Sequence, residues 1–233
     1  MVSLIIPCYN PPAGWAESLR QSVQDCTGNW AEATELILVI DGNSPGVEAA
    51  DIELLQKALP GFILVRYAVN RGKGHAIREG VKAAMGNILI YTDIDFPYTT
   101  ESCREIYQAL STETCDIAIG VKDAHYYSHV PPFRRFVSRT LRAMIRVMLS
   151  MPVSDTQCGL KGFKATMAPL FLSTTIDRYL FDLEFVRNAY RSPARPRVTA
   201  IPVRLRTGIQ FRSMNPRILT SELANFVRVI FKK

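Results

Sequence analysis

No apolar run in the sequence approaches the roughly 20 residues needed to cross a bilayer. The longest, such as Leu36–Ile40, are a fraction of that. The opening Met1–Ile6 meets Pro7 before a secretory hydrophobic region can develop, so no cleavable signal is expected. Cysteine is scarce: five residues, at 8, 26, 103, 115 and 158, an odd number with no C-x-x-C spacing. That pattern argues against a disulfide framework or a structural zinc site and fits a reduced, cytosolic compartment. The three histidines, His75, His125 and His129, form no metal or triad pattern. Thirteen glycines and 14 prolines are too few for collagen-like or low-complexity sequence. GxxxxGK[ST] is absent and no GxGxxG follows the first apolar run, which disfavours a P-loop ATPase and a dinucleotide-binding enzyme.

What is present suits one sizeable α/β domain over 1–233. The chain has 233 residues, 48% of them hydrophobic, too apolar for disorder. The net charge of +7 is unevenly spread: residues 1–119 carry a net −7 and residues 120–233 a net +14. A strongly basic second half suggests an anionic partner, whether phosphate, nucleic acid or a membrane face.

Short apolar runs alternate with helical patterns through the first half. Strands are expected at Val2–Ile6, Leu36–Asp41, Phe62–Ala68, Ile88–Asp93 and Asp116–Val121. Helices are expected at Ala13–Asp25, Val47–Leu59, Gly74–Met85 and Thr100–Leu110, the last capped by Thr99 or Thr100. This rhythm predicts a Rossmann-like, doubly wound, mostly parallel sheet whose ligands collect at the carboxyl ends of the strands. The second half is less regular. Residues 123–132 read as a loop, Phe133–Ser150 as a helix, residues 153–164 as a loop with a short strand, and Phe181–Tyr190 as a helix. Val198–Leu205 reads as a strand and Arg217–Phe231 as a terminal amphipathic helix. Arg135, Arg139, Arg142 and Arg146 share one face of the 133–150 helix by their i, i+4, i+7, i+11 spacing. The stripe fits a helix on an anionic membrane surface, and equally the solvated face of a helix docked on the core.

Four segments carry candidate chemistry. Asp93-Ile94-Asp95 follows a buried strand, and two carboxylates so spaced can share Mg²⁺ or Mn²⁺ that neutralises a diphosphate. Asp41, in Val39-Ile40-Asp41-Gly42, can accept hydrogen bonds from a base or ribose, although Asp-Gly is also a turn former. Pro7-Cys8-Tyr9-Asn10 ends the first strand, where Tyr9 either stacks a nucleobase or packs on the sheet edge. Asn70-Arg71-Gly72-Lys73-Gly74 precedes a helix, a place where glycines permit close approach and anions are attracted.

Together these segments resemble the GT-A fold of family-2 inverting glycosyltransferases. Asp155-Thr156-Gln157-Cys158-Gly159-Leu160-Lys161 resembles the DTQCGFK segment of dolichyl-phosphate glucosyltransferases and of bacterial polyprenyl-phosphate sugar transferases. Phe181-Asp182-Leu183-Glu184 resembles the FDxE segment of the glucosyltransferase branch. The resemblance runs from Val2 to about Ile230. It implies a nucleotide-binding half (1–121) and an acceptor-binding half (122–233). By position, Pro7, Tyr9, Asn10, Asp41, Lys73 and Asp93 would hold the nucleotide sugar, and Asp93 and Asp95 a metal, Mg²⁺ or Mn²⁺. Asp155, Gln157 and Asp182 would face the reacting sugar as catalytic residues, and Lys122, Arg135 and Arg139 would meet phosphate. UDP-glucose is the donor the resemblance favours, with GDP-mannose as the other candidate. Many relatives also carry transmembrane helices at one end, and no such run occurs here.

The acceptor implied is polyprenyl or dolichyl phosphate, met at a membrane surface by a cytoplasmic, peripheral enzyme on the membrane's inner face. Such a phosphate is largely dianionic at pH 7, its second pKa being about 6, and needs cations rather than a base. A glycan hydroxyl acceptor in cell-surface polysaccharide synthesis would instead require a carboxylate base, Asp155 or Asp182. A non-enzymatic module binding membrane or nucleic acid is the distant alternative. It leaves Asp41, Asp93, Asp95, Asp155 and Asp182 unexplained, so no nucleic acid partner is expected. Cys158 has no evident base partner and reads as packing.

Overall fold

The computed structural model of the chain describes residues 1–122, 140, 143, 145, 152, 155–156, 158–207, 222, 225–227 and 229–230. The expected loop over 123–132 lies outside them, as do most of the expected helices over 133–150 and 217–231. Residues 140, 143, 145, 222, 225–227, 229 and 230 are helical.

The elements are β1 (Val2–Cys8), α1 (Trp15–Thr27), β2 (Thr34–Asp41), α2 (Ala49–Ala58), β3 (Phe62–Tyr67), α3 (Lys73–Ala83) and β4 (Ile88–Tyr91). They continue with α4 (Thr100–Ser111), β5 (Ile117–Lys122), β6 (Lys161–Lys164), a 3-10 turn (Ala165–Met167), α5 (Ala168–Leu172), α6 (Phe181–Arg191) and β7 (Val198–Val203). The described strands form a seven-stranded sheet in the order β3-β2-β1-β4-β6-β5-β7, with β6 antiparallel to both its neighbours and every other pairing parallel.

Local chemistry places the helix starts. Thr99 accepts the Ser102 N–H to cap α4, and Glu48 and Asp51 form a capping box on α2. Alternation along the strands then assigns the two faces. Leu4, Ile6, Leu36, Leu38 and Ile40 join Trp15, Leu19, Leu55, Ile106 and Leu110 on the side covered by α1, α2 and α4. Ile5, Ile37, Val39, Leu89 and Tyr91 join Ile77, Val81, Phe163, Phe171, Phe181 and Phe185 on the side covered by α3, α5 and α6. Each of these large apolar side chains contributes roughly 1.5–3 kcal/mol by leaving water.

One boundary differs from expectation in a way that shapes the site. Pro7 was expected to end β1, yet the strand runs on to Cys8, with Pro7 in register with Val39. The Ile5 carbonyl accepts the Thr92 N–H, so Ile5, and Pro7 two residues on, direct their backbone groups towards β4. The β1–β4 pairing ends at Ile5 and Tyr91. The N–H that proline lacks therefore faces a place where the sheet has already opened, and the usual penalty for proline in a central strand is avoided. That opening is the crevice at the topological switch point, where chain order departs in opposite directions from β1.

Candidate functional site at the carboxyl ends of the strands

The crevice is bordered by four chain turns. Tyr9 and Asn10 leave β1, and the Asn10 N–H donates to Ser44 Oγ at 2.8 Å, tying that turn to the one after β2. Trp15 Nε1 donates to the Gly46 carbonyl at 3.0 Å and to Asp51 at 3.2 Å, fixing the second turn from below. Tyr9 is 48% exposed, so much of the side chain is open to solvent.

Asp41 is 3% exposed and its carboxylate is engaged. It accepts Asn70 Nδ2 and the backbone N–H groups of Arg71 and Gly72, each at 2.8 Å. The carboxylate thus clamps the loop that leads into α3. Tyr67 lies beside it, and burial together with Asp41 pushes the Tyr67 phenol above its ordinary range.

The glycines before α3 serve a different approach from the one expected. The Gly74 and His75 N–H groups both donate to the Asp177 carbonyl, at 2.8 and 3.2 Å. A Cβ on Gly72 would lie 2.6 Å from that same oxygen, and one on Gly74 2.5 Å from the Ile176 carbonyl. The helix N-terminus that the sequence suggested for an anion is therefore capped by the 176–178 segment. That segment is held in turn by Glu184, whose buried carboxylate accepts the N–H groups of Thr175 and Ile176 at 2.8 and 2.9 Å. Asp177 also pairs with Arg78, and lies 3.6 Å from Arg71 and 3.8 Å from His75. Burial lowers the His75 pKa.

Lys73 opens α3 and reaches across the crevice to Asp93, with Nζ 2.6 Å from Oδ1. Burial acts to lower the Lys73 pKa, but Asp93 and Asp182 outweigh it and the ammonium is held above its ordinary value. Asp93 is part-exposed and Asp95 exposed, on a turn closed by the Phe96 N–H donating to the Asp93 carbonyl at 3.0 Å. Among the described residues no group of three or more His, Cys, Asp or Glu side chains could hold a metal ion. The donor set here is two carboxylates from one turn, which fits a cation that takes its other ligands from phosphate oxygens and water.

Residues 158–160 lead into β6, which pairs antiparallel with β4. Asp155, 5% exposed, accepts the Lys122 backbone N–H at 2.8 Å, so these two expected site residues are brought together. The Gly159 N–H donates to Tyr98 Oη at 2.9 Å, and a Cβ on Gly159 would clash with Asp93 Oδ2. Gln157, Arg135 and Arg139, expected in the site, lie outside the described residues, as do Arg142, Arg146, His125 and His129. Asp182 was expected at the reacting sugar. It is instead buried against Lys161 Nζ at 3.0 Å and accepts Tyr91 Oη at 2.5 Å. Sequence reasoning named no role for Lys161, Gly159, Tyr98, Glu184 or Asp177. Lys161 and Gly159 stood in the quoted DTQCGLK segment and Glu184 in FDLE, but Gly159 meets Tyr98 and Lys161 meets Asp182, partners that their own segment does not contain.

The model of the glycosyl transferase family 2 matches residues 3–168. A dolichyl-phosphate beta-glucosyltransferase of Drosophila melanogaster is 30% identical over 201 residues, covering 79% of this chain and 61% of that protein. An undecaprenyl-phosphate 4-deoxy-4-formamido-L-arabinose transferase of Edwardsiella ictaluri is 26% identical over 175 residues, covering 73% of this chain and 51% of that one. The chain thus spans between half and two thirds of the length of these relatives. Glucosyl-3-phosphoglycerate synthase of Mycobacterium tuberculosis, solved with Mn²⁺, uridine diphosphate and glucosyl-3-phosphoglycerate, superposes with a TM-score of 0.65 at 14% identity. It is covered to 78% by 99% of this chain. Mannosyl-3-phosphoglycerate synthase of Rubrobacter xylanophilus gives 0.68 at 12% identity, covered to 72% by 99% of this chain. These likenesses establish the fold as the GT-A arrangement that the sequence implied.

Proposed function

Because the chain belongs to glycosyl transferase family 2, we propose that it transfers a hexose, with inversion, from a nucleotide sugar to polyprenyl or dolichyl phosphate at a membrane surface. UDP-glucose is the favoured donor and GDP-mannose the other candidate. The observation that carries the reading is the Asp93–Asp95 turn at the carboxyl end of β4, beside the β1–β4 crevice, with Lys73 on one oxygen of Asp93. The similarity to dolichyl- and undecaprenyl-phosphate sugar transferases supports the lipid phosphate as acceptor.

In this reading an oxygen of the lipid phosphate attacks the anomeric carbon. The bond from that carbon to the nucleoside diphosphate breaks on the opposite face, and the nucleoside diphosphate leaves with the electron pair. Asp93 and Asp95 would hold Mg²⁺ or Mn²⁺, which when bound supplies charge neutralisation for the diphosphate. Tyr9 offers an exposed face for the base, with Pro7 and Asn10 shaping the turn beside it. Asp41 sets the Asn70–Gly72 border of the nucleoside site through its three hydrogen bonds. Lys73 keeps Asp93 oriented and adds a cation near the diphosphate. Asp155, tied to the end of β5, is positioned for the sugar, with Gln157 next to it in sequence. Asp182 is committed to Lys161 and Tyr91, so it supports the site from behind.

A dianionic acceptor needs no base, and its charge is met by Lys122 and by Arg135 and Arg139, assigned by sequence position. The arginine spacing over 135–146 supports a membrane face, while no described helix is long and apolar enough to cross a membrane. The decisive experiment offers a panel of radiolabelled nucleotide sugars and a short polyprenyl phosphate with Mg²⁺ or Mn²⁺, beside Asp95→Ala. Metal-dependent label in lipid from one donor, lost in the variant, is the expected result. Donor binding without lipid product would move the acceptor to a glycan hydroxyl. A folded protein that shows neither binding nor transfer would refute the proposal.

A further inference from the structure

Lys161 is fully buried, on a strand that otherwise contributes Phe163 to a core of Tyr91, Phe171, Phe181 and Phe185. A charge there is costly unless it is paired and hydrogen-bonded. Its ammonium meets Asp182 Oδ1 at 3.0 Å and donates to the Cys158 carbonyl, and Tyr91 Oη donates to the same Asp182 oxygen. Buried pairs of this kind contribute little net stability over an apolar replacement. What Lys161 does besides balance charge is fix the Cys158 carbonyl, and with it the peptide that begins Gly159.

Gly159 is pressed against Asp93 so closely that a single added methyl would clash with Asp93 Oδ2. Its N–H is fixed by Tyr98, whose backbone bridges to Leu205. The other carboxylate oxygen, Oδ1, is held by Lys73 at 2.6 Å. Asp93 therefore sits between a backbone wall and an ammonium, and the wall is pinned from behind by a buried ion pair.

We propose that Lys161 is a positioning residue for Asp93, acting through the Cys158–Gly159 peptide, with Asp182 and Tyr91 holding the Lys161 ammonium in place. The proposal deepens the function above and rests on it for why the place of Asp93 matters. Two perturbations reach Asp93 by different routes. Gly159→Ala leaves the buried pair intact and has an ordinary backbone angle to occupy, so the Asp93 carboxylate is what must move. Lys161→Met with Asp182→Asn removes both buried charges together, so no uncompensated charge remains in the core, yet it releases the Cys158 carbonyl.

The test combines crystal structures of both variants with calorimetry of Mn²⁺·UDP and Mn²⁺·GDP binding and thermal melting. Each variant is expected to break the Lys73–Asp93 contact and to weaken Mn²⁺·nucleotide binding by about 10- to 100-fold, the range found when groups supporting a metal ligand are removed. Melting of the double variant should stay near that of the wild type. A Gly159→Ala protein with Asp93 and the affinity both unchanged overturns the proposal, because the place of Asp93 would then not depend on the Cys158–Gly159 peptide. A double variant that melts, binds and places Asp93 as the wild type does overturns it too, leaving Lys161 as a charge partner only. A wild-type protein that binds neither nucleotide with Mn²⁺ would count against the function, while the Lys73–Asp93 separation in the two variant structures still decides this proposal.

Discussion

Replacing Asp41 by alanine should damage the fold and the nucleotide site together, and the structure sets the scale. The carboxylate is buried and accepts three hydrogen bonds of 2.8 Å, two of them from backbone N–H groups at Arg71 and Gly72. Hydrogen bonds to a charged group are worth about 1.5–3 kcal/mol each, but partners of one carboxylate are not additive. Asn70 and Arg71 are exposed and Gly72 half-buried, so water reclaims part of the loss. Between one and two bonds' worth remains, about 2–4 kcal/mol, which for a chain of this size lowers the melting temperature by about 4–16 °C. Asp41→Asn keeps one acceptor oxygen and should fall between alanine and wild type. The assay is urea and thermal unfolding of the three proteins, with calorimetry of UDP and GDP binding on the folded fraction. An alanine variant that melts within about 1 °C of wild type while losing the nucleotide would refute the reasoning, because Asp41 would then be a ligand contact and not a clamp on the loop before α3.

Two further outcomes follow from groups away from the site. The Asp116 carboxyl is lowered to about 2 by the Arg197 guanidinium hydrogen-bonded to it, against a smaller opposing effect of burial. Its folded pKa lies below the unfolded one, so its contribution is complete above the ordinary carboxylate range and is lost as pH falls through about 2. Allowing for solvent around the half-exposed Arg197, that contribution is about 1–2 kcal/mol. Urea melts should show Asp116→Asn less stable than wild type by a constant amount from pH 5 to pH 8, with the gap closing below pH 4. About half of the gap should remain at pH 3, and a gap still at full size at pH 2 contradicts the ion pair. All five cysteines are free and buried, and burial with nearby Asp51 pushes the Cys8 thiol up to about 12. No thiol should therefore titrate with a disulfide reagent in native protein at pH 8, and all five should titrate in denaturant. One fast native thiol would reopen Cys158 as a nucleophile.

The parts of this molecule legible in sequence are those made by neighbours along the chain. A strand, its turn and the following helix are specified within some 30 residues, and the carboxyl end of a strand is where the apolar run stops. Asp41 and the Asp93–Asp95 pair could be placed for that reason, and so could the Thr99 cap. What was not legible is what those residues touch. The glycines at 72 and 74 announce that something comes close, but glycine records only the space, not its occupant. An anion and a backbone carbonyl make the same demand, and the occupant is a segment about a hundred residues later. Lys161 poses the same difficulty in charge. Alternation along Lys161-Gly162-Phe163-Lys164 puts Lys161 on the face of Phe163 and Lys164 on the other, so one lysine shares a face with an aromatic ring. In the sheet that face is the inner one, and the pairing of β6 with β4 brings Lys161 beside Tyr91. Burial of a lysine can be inferred only once its carboxylate partner is known, and Asp182 is supplied by α6. Asp182 likewise is engaged by Lys161 and Tyr91, neither of which lies in its own motif. A carboxylate in a motif can be recognised from the motif, but its chemistry depends on whether a cation has already been assigned to it, and that cation comes from another layer of the fold.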